Sequence, residues 1–409
     1  MTTENARTLA DRALEAGKGV LRLAPNWVPR SFCVPGRRIK LHPDDYYTLG
    51  GARGGIDERW FASTTPADNG PLTAENEGLS QIVVDAGPRP ATVLLRDAVD
   101  ELGADIVGER IWQRHGRWPM FSKFFDNFAA LPFHIHHRDQ HAKLVDQQGK
   151  PEAYYFPPQV NNHRGSFPYT FFGLVPGTTK DELYRALVNF SQGDNEITFL
   201  SAAYPLQVGT GWDVPPGILH APGSLCTYEP QNASDVFAMY ESLTGNQHVP
   251  EALLWKDVPD DRKGDFHFLM ELIDWEANVD PNFKRNHFVV PIPARDEAQT
   301  GPEGYLEKWV AYKSGAFSAK ELTLLPGRTA IVKDSAAYGL ILLEGYGALG
   351  VHPIETPSVI RYGELTNDEF FVTEDAAKAG ITIRNASMTA PLVMLKHFGP
   401  DNPDLTLLS

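Results

Sequence analysis

Two cysteines, Cys33 and Cys226, are all the sequence holds. That excludes a disulfide framework, and although one bridge is arithmetically open, nothing else points to an oxidising compartment. Basic charge is also short: 37 lysines and arginines stand against 52 aspartates and glutamates, a net charge of −15. A chain this acidic has no general attraction for a phosphate backbone, so nucleic acid is not an expected partner. Long apolar runs are missing too, since no stretch approaches the ~18 residues a membrane helix needs. Residues 1–23 lack the basic start, apolar core and small-residue cleavage site of a secretion signal. The expectation is a cytoplasmic protein without membrane contact. What is there is ordinary: 42% hydrophobic and 22% charged residues over 409 positions, enough for two or three compact domains.

Helical periodicity is confined to a few segments. Leu9, Ala13, Leu14, Val20 and Leu21 space a short amphipathic helix over residues 5–21. Leu95, Val99, Leu102, Ile106 and Ile111 give a broad apolar stripe over 92–115, with Asp97, Asp100 and Glu101 on the wet side. Thr179-Lys180-Asp181-Glu182 fits a capping box, opening a helix whose buried stripe is Leu183, Leu187 and Val188. A further helix is expected from Asp265 to Trp275. The glycine run from Gly50 to Gly55 lacks the GK[ST] ending of a phosphate loop and reads as a turn.

Most of the rest has the texture of strands, and one of them carries the chemistry. Phe133-His134-Ile135-His136-His137 places His134 and His136 on one face, because strand side chains alternate. Lys150-Pro151-Glu152 opens a second strand, and Pro215-Pro216-Gly217-Ile218-Leu219-His220 ends a third. One His-x-His among 13 histidines arises readily by chance. The order matters more: His-x-His, then a strand glutamate, then a histidine after a Gly/Pro turn is the order in which a cupin barrel delivers metal ligands. His134, His136, Glu152 and His220 make a mixed N/O set for one divalent ion, zinc first, with manganese and iron as alternatives.

From residue 305 onward, short strands follow one another at close spacing, such as Lys308 to Lys313, Glu321 to Leu325 and Glu369 to Val372, with Glu344-Gly345-Tyr346-Gly347 in hairpin style. That region has no His-x-His; His352 and His397 are single and read as structural. The fold expected is mainly β: two cupin (jelly-roll) barrels with helical insertions. Residues 1–90 form an N-terminal segment on the first barrel, 91–295 the metal-binding cupin, and 296–409 a metal-free cupin.

The ordered motifs resemble those of the type I phosphomannose isomerases, bicupin metalloenzymes. The similar stretches are Trp118-Pro119-Met120-Phe121-Ser122-Lys123-Phe124-Phe125-Asp126 ahead of the His-x-His, the intact Lys150-Pro151-Glu152, the helical insertion from Thr179 to Phe190, His220, and the early Trp60. The resemblance implies a metal-dependent aldose–ketose isomerase acting on a sugar or sugar phosphate. Three departures stand out. His134 replaces a family glutamine, His137-Arg138-Asp139 replaces Pro-x-Lys, and the late Arg/Lys motif that meets the sugar phosphate has no clean match.

Aldose–ketose interconversion moves a proton between neighbouring carbons through an enediol, whose developing charge a divalent ion stabilises. The proton needs a base within hydrogen-bond reach. Lys150 shares the parity of Glu152, so it is a candidate for the same cavity. His137, on the opposite face of a regular strand, and Arg164, on the loop Asn161-Asn162-His163-Arg164-Gly165, are further catalytic candidates, with Glu229 and Glu241 as alternative carboxylate bases. The missing basic residues favour an unphosphorylated or differently charged sugar, although Lys150, Arg164 and Lys256 remain available for a phosphate. Two rival readings use the same residues: a cupin dioxygenase with non-haem iron, and a non-catalytic sugar-binding cupin.

Overall fold

In the computed structural model, residues 5–85, 90–163 and 167–408 are described. Among the described residues, the four larger antiparallel sheets stack as two sandwiches, and two two-stranded ribbons lie outside them. The N-terminal sandwich faces a five-stranded sheet (Ser201–Pro205, Tyr169–Leu174, Leu219–Ala221, His134–Ile135 and Ala238–Met239) against a seven-stranded one. The seven-stranded sheet runs Phe288–Val289, Gly211–Val214, Glu152–Tyr155, Thr227–Asn232, Met120–Phe125, Gly55–Phe61, Asn26–Arg30. The C-terminal sandwich packs a second seven-stranded sheet, centred on Tyr338–Glu344, Leu392–Phe398 and Ser318–Leu324, on a four-stranded one. This is the mainly β fold with helical insertions that the strand spacing implies. Residues ahead of position 90 supply strands to both sandwiches: Asn26–Arg30 and Gly55–Phe61 to the first, and Val20–Arg22, paired with Glu369–Val372, to the second.

The two seven-stranded sheets lie back to back, so their central strands are buried on both faces and the polar residues they carry must find partners inside. Alternation decides what each face meets. In Met120–Phe125, Phe124 packs against Phe61 and Tyr228 toward the second sandwich, and Ser122 Oγ lies 2.8 Å from His397 Nδ1. Lys123 and Phe125 point the other way, into the first sandwich. The shared layer is a large apolar core joining Phe61, Phe124, Tyr155 and Tyr228 to Ile341, Phe371, Val393 and Leu395. Each such side chain contributes roughly 1.5–3 kcal/mol on burial, so the two halves are strongly coupled.

Glycines reset several helix boundaries. The first helix is Ala6–Gly17 rather than extending to Leu21, because Lys18 and Gly19 take left-handed φ of 51° and 81° and release the chain into a strand. The long stripe after Thr92 is cut into Leu95–Leu102, Ala104–Val107 and Glu109–His115 by Gly103 and Gly108, at φ 47° and 85°. The capping box is present as expected on Lys180–Val188, with Leu183 and Leu187 buried, but Val188 is exposed. The helix expected over Asp265 to Trp275 is Phe266–Leu272, with Asp265 as its N-cap. Tyr338–Glu344 and Tyr346–Leu349 are not a hairpin: they pair in different sheets, and Gly345, at φ 93°, turns the chain from one to the other. Cys33 and Cys226 are both free. Among the described residues no helix is long and apolar enough to cross a membrane.

Candidate metal centre

Strand register assembles the centre. His134 is the cross-strand partner of His220, and their rings stand 4.2 Å apart between centroids. His136 follows one residue beyond the strand, with its ring 5.1 Å from His134 and 5.0 Å from His220. Glu152 enters from the facing sheet: its Oε2 lies 3.0 Å from His136 Nε2 and its Oε1 3.1 Å from His220 Nε2. All four side chains are buried.

Backbone carbonyls set the imidazole tautomers. His134 Nδ1 is 2.8 Å from the Pro132 carbonyl, His136 Nδ1 2.7 Å from Val236, and His220 Nδ1 2.8 Å from Ile218. A carbonyl only accepts, so each Nδ1 carries the proton and each Nε2 presents a bare lone pair. One ligand atom from each of the three rings falls within 4.8 Å of the others, a group able to hold a metal ion. Burial, then the neighbouring rings, push His134 well below its usual range; burial, then Lys150, bring His136 down to about 4. Burial works against charge on Glu152, while the Lys150 ammonium 3.3 Å away favours the carboxylate and helps hold it below the ordinary value.

The donor set therefore faces itself: imidazole Nε2 atoms meet a carboxylate at about 3 Å, an arrangement that is repulsive between lone pairs unless positive charge lies among them. Among the described residues, His220 Nε2 and Glu152 Oε2 have no hydrogen-bond partner. Buried, unpartnered, convergent N and O donors of this kind fit a divalent cation. Part of the positive charge comes from Lys150, whose Nζ is 3.2 Å from His136 Nε2 and 3.3 Å from Glu152 Oε2.

A second layer of charge surrounds the donors. The Tyr154 hydroxyl donates to Glu152 Oε1. Glu229 Oε1 is 3.8 Å from Lys150 and 3.3 Å from Lys123, which also lies 3.2 Å from Glu58. Burial, then the Glu152 charge, push the Glu229 carboxyl up to about 8. Arg30 ties Glu58 at 3.1 Å to Asp235 at 3.1 and 3.2 Å, and Trp60 Nε1 donates to Glu58 at 2.7 Å. Sequence reasoning assigned no role to Arg30, Glu58, Lys123, Tyr154 or Asp235. For Lys123 a signal existed: one lysine among Phe121, Phe124 and Phe125 in a buried strand needs a carboxylate partner.

The other expected catalytic residues part ways. Lys150 is in the centre. His137 is buried on the opposite side, with Lys256 and the Asp257 backbone beside it. Arg164 lies outside the described residues, and its neighbour His163 is exposed. Glu241 accepts a hydrogen bond from the Phe133 amide at 2.7 Å, which anchors the start of the histidine strand, and burial raises its carboxyl to about 7. His352 contacts the Val20 carbonyl at 2.8 Å, and His397 is buried between the sandwiches.

Enclosed in the sandwich, the three imidazoles form a group that could hold a metal ion, with a carboxylate and a lysine beside them. Among solved structures the chain superposes on mannose 6-phosphate isomerases over nearly its whole length. The Bacillus subtilis mannose 6-phosphate isomerase matches with a TM-score of 0.60 at 15% identity, over 93% of this chain and 99% of that one. A mannose 6-phosphate isomerase bound with zinc and yttrium matches at 0.59 and 12%, over 93% and 100%. A variant of the phosphomannose isomerase from Salmonella typhimurium matches at 0.58 and 13%, over 93% and 100%. At these identities the likeness establishes a shared fold. No family model matches the sequence, and no curated protein matches it.

Proposed function

We propose that this protein is a metal-dependent aldose–ketose isomerase acting on a small sugar. The observation that carries the reading is the convergence of three imidazoles and the Glu152 carboxylate beside two further buried polar groups, Lys150 and Glu229. His134, His136, His220 and Glu152 would hold the ion. When bound, a divalent ion supplies Lewis-acid stabilisation of the enediol oxygens. The remaining work belongs to the chain. Glu229, whose carboxyl burial and then Glu152 push up, is the group we assign to take a proton from one carbon and return it to the next. Lys150 adds a fixed positive charge beside Glu152 and Glu229. Phe125, Tyr154, Phe172 and Trp212 form an apolar surround that excludes water and strengthens these electrostatic effects.

The likeness to mannose 6-phosphate isomerases supports this reaction class. The test is turnover of a panel of aldoses and ketoses, free and phosphorylated, by metal-loaded protein in D₂O. Deuterium at the carbon beside the carbonyl, together with product, is the expected result. Oxygen consumption with an iron-loaded sample instead would assign the centre to dioxygenase chemistry. Neither result would leave a sugar-binding module.

A further inference from the structure

We propose that the cavity formed by residues 64–68, 116–118 and 233–236 with Lys256 and Asp257 receives the far end of the substrate, and that this end is an uncharged polyol rather than a phosphate. This rests on the isomerase reading and names its substrate class. The cavity holds about 610 Å³, within the range of roughly 300–1,000 Å³ usual for small-ligand sites. It shares a wall with the metal centre. Val236 lines the cavity while its carbonyl holds His136 Nδ1, and the neighbouring Asp235 is the carboxylate that Arg30 ties to the layer around Lys123. The positive charges of Lys150 and Lys123 reach Asp235 as well, as does that of Lys256 from the cavity side. The lining holds none of the three histidines, Glu152, Lys150 or Glu229; Asp235 and Val236 are the residues that stand between this space and those groups.

The charge of the lining decides what fits. A phosphate dianion taken out of water needs free guanidinium forks, ammonium groups or amides. Lys256 is not free: it lies 3.0 Å from Asp68 and 2.7 Å from Asp257. Arg96 is paired with Asp97 at 3.1 Å, and Arg117 donates to the Gln148 side chain. Against these three cations the cavity carries five carboxylates, with Asp100 and Asp146 joining Asp68, Asp235 and Asp257. Asp235 is already compensated by Arg30, and Asp68 and Asp257 by Lys256, so the charge left over among the described lining residues is that of Asp100 and Asp146, which disfavours a dianion. Carboxylates are acceptors, and a polyol brings hydroxyl donors to them, while Pro66, Ala67 and Val99 offer an apolar wall for the C–H face.

The experiment is calorimetry on the full-length, metal-loaded protein with mannitol and sorbitol and with their 6-phosphates. These hexitols have no carbonyl, so their binding does not depend on turnover. A free hexitol is expected to bind about tenfold or more tightly than its phosphate ester. Asp100→Lys, at an exposed helix position on the rim, is expected to narrow that preference by about fivefold or more by adding a cation. Tighter binding of the phosphate esters, binding of neither class, or no effect of Asp100→Lys would overturn the proposal. Hexitol binding without turnover of any sugar would sink the isomerase reading alone and leave the cavity assignment standing.

Discussion

Glu152 Oε2 stands 3.0 Å from His136 Nε2, and both atoms are electron-pair donors. The carboxylate comes from one sheet of the N-terminal sandwich and the imidazole from the segment that continues a strand of the other. Two lone pairs at this distance repel unless positive charge lies between them.

Removing one donor tests that requirement. His136→Ala is expected to bring bound divalent metal well below one per chain and to abolish turnover. Elemental analysis after dialysis reads the first and the deuterium assay the second. Stoichiometric metal in that variant would sink the ligand assignment.

Lys150 touches both a ring nitrogen and the carboxylate, yet an ammonium has no lone pair to give a metal. Lys150→Met should therefore retain the metal while kcat/KM falls about 100-fold or more, equivalent to roughly 2.7 kcal/mol of transition-state stabilisation. Parallel loss of metal would show instead that Lys150 only shapes the donor set.

Arg30 is buried, and it compensates both Glu58 and Asp235. Arg30→Leu leaves two buried carboxylates short of positive charge, which typically costs about 3–5 kcal/mol. Urea titration should show the midpoint falling accordingly. A change under about 1 kcal/mol would mean that Lys123 and Lys256 already neutralise the cluster.

His397 predicts a pH effect. Burial between the sandwiches pulls its pKa down to about 3. An unfolded chain binds that proton below about 6.5, whereas the folded one does not until about 3. Its contribution to stability is full above 6.5 and is lost as pH falls toward 3. His397→Gln should flatten the acid side of the stability profile by up to one proton, on the order of 1.4 kcal/mol per pH unit. Other buried histidines titrate alike in both proteins and cancel. Equal slopes would refute the assignment. Substituting His352 along with His397 should leave metal content and turnover unchanged, since neither residue contacts the three-histidine centre.

Parity and order were legible in the chain alone. A strand's period of two puts His134 with His136 and Lys150 with Glu152, whatever the strand packs against. The Thr179–Glu182 capping box and the Leu183, Leu187 stripe are equally local and appear as read. Tertiary structure decided which faces meet. Arg30 and Asp235 are distant in sequence but bonded in space, and no local period encodes that pairing. The same holds for His137, which alternation turns away from the metal donors but only packing sets beside Lys256 and Asp257. It holds also for Gly345, whose positive φ sends the chain to another sheet instead of closing a hairpin. Local sequence specifies the direction of a side chain relative to its own backbone, while its partners depend on long-range register and sheet stacking that only the folded chain defines.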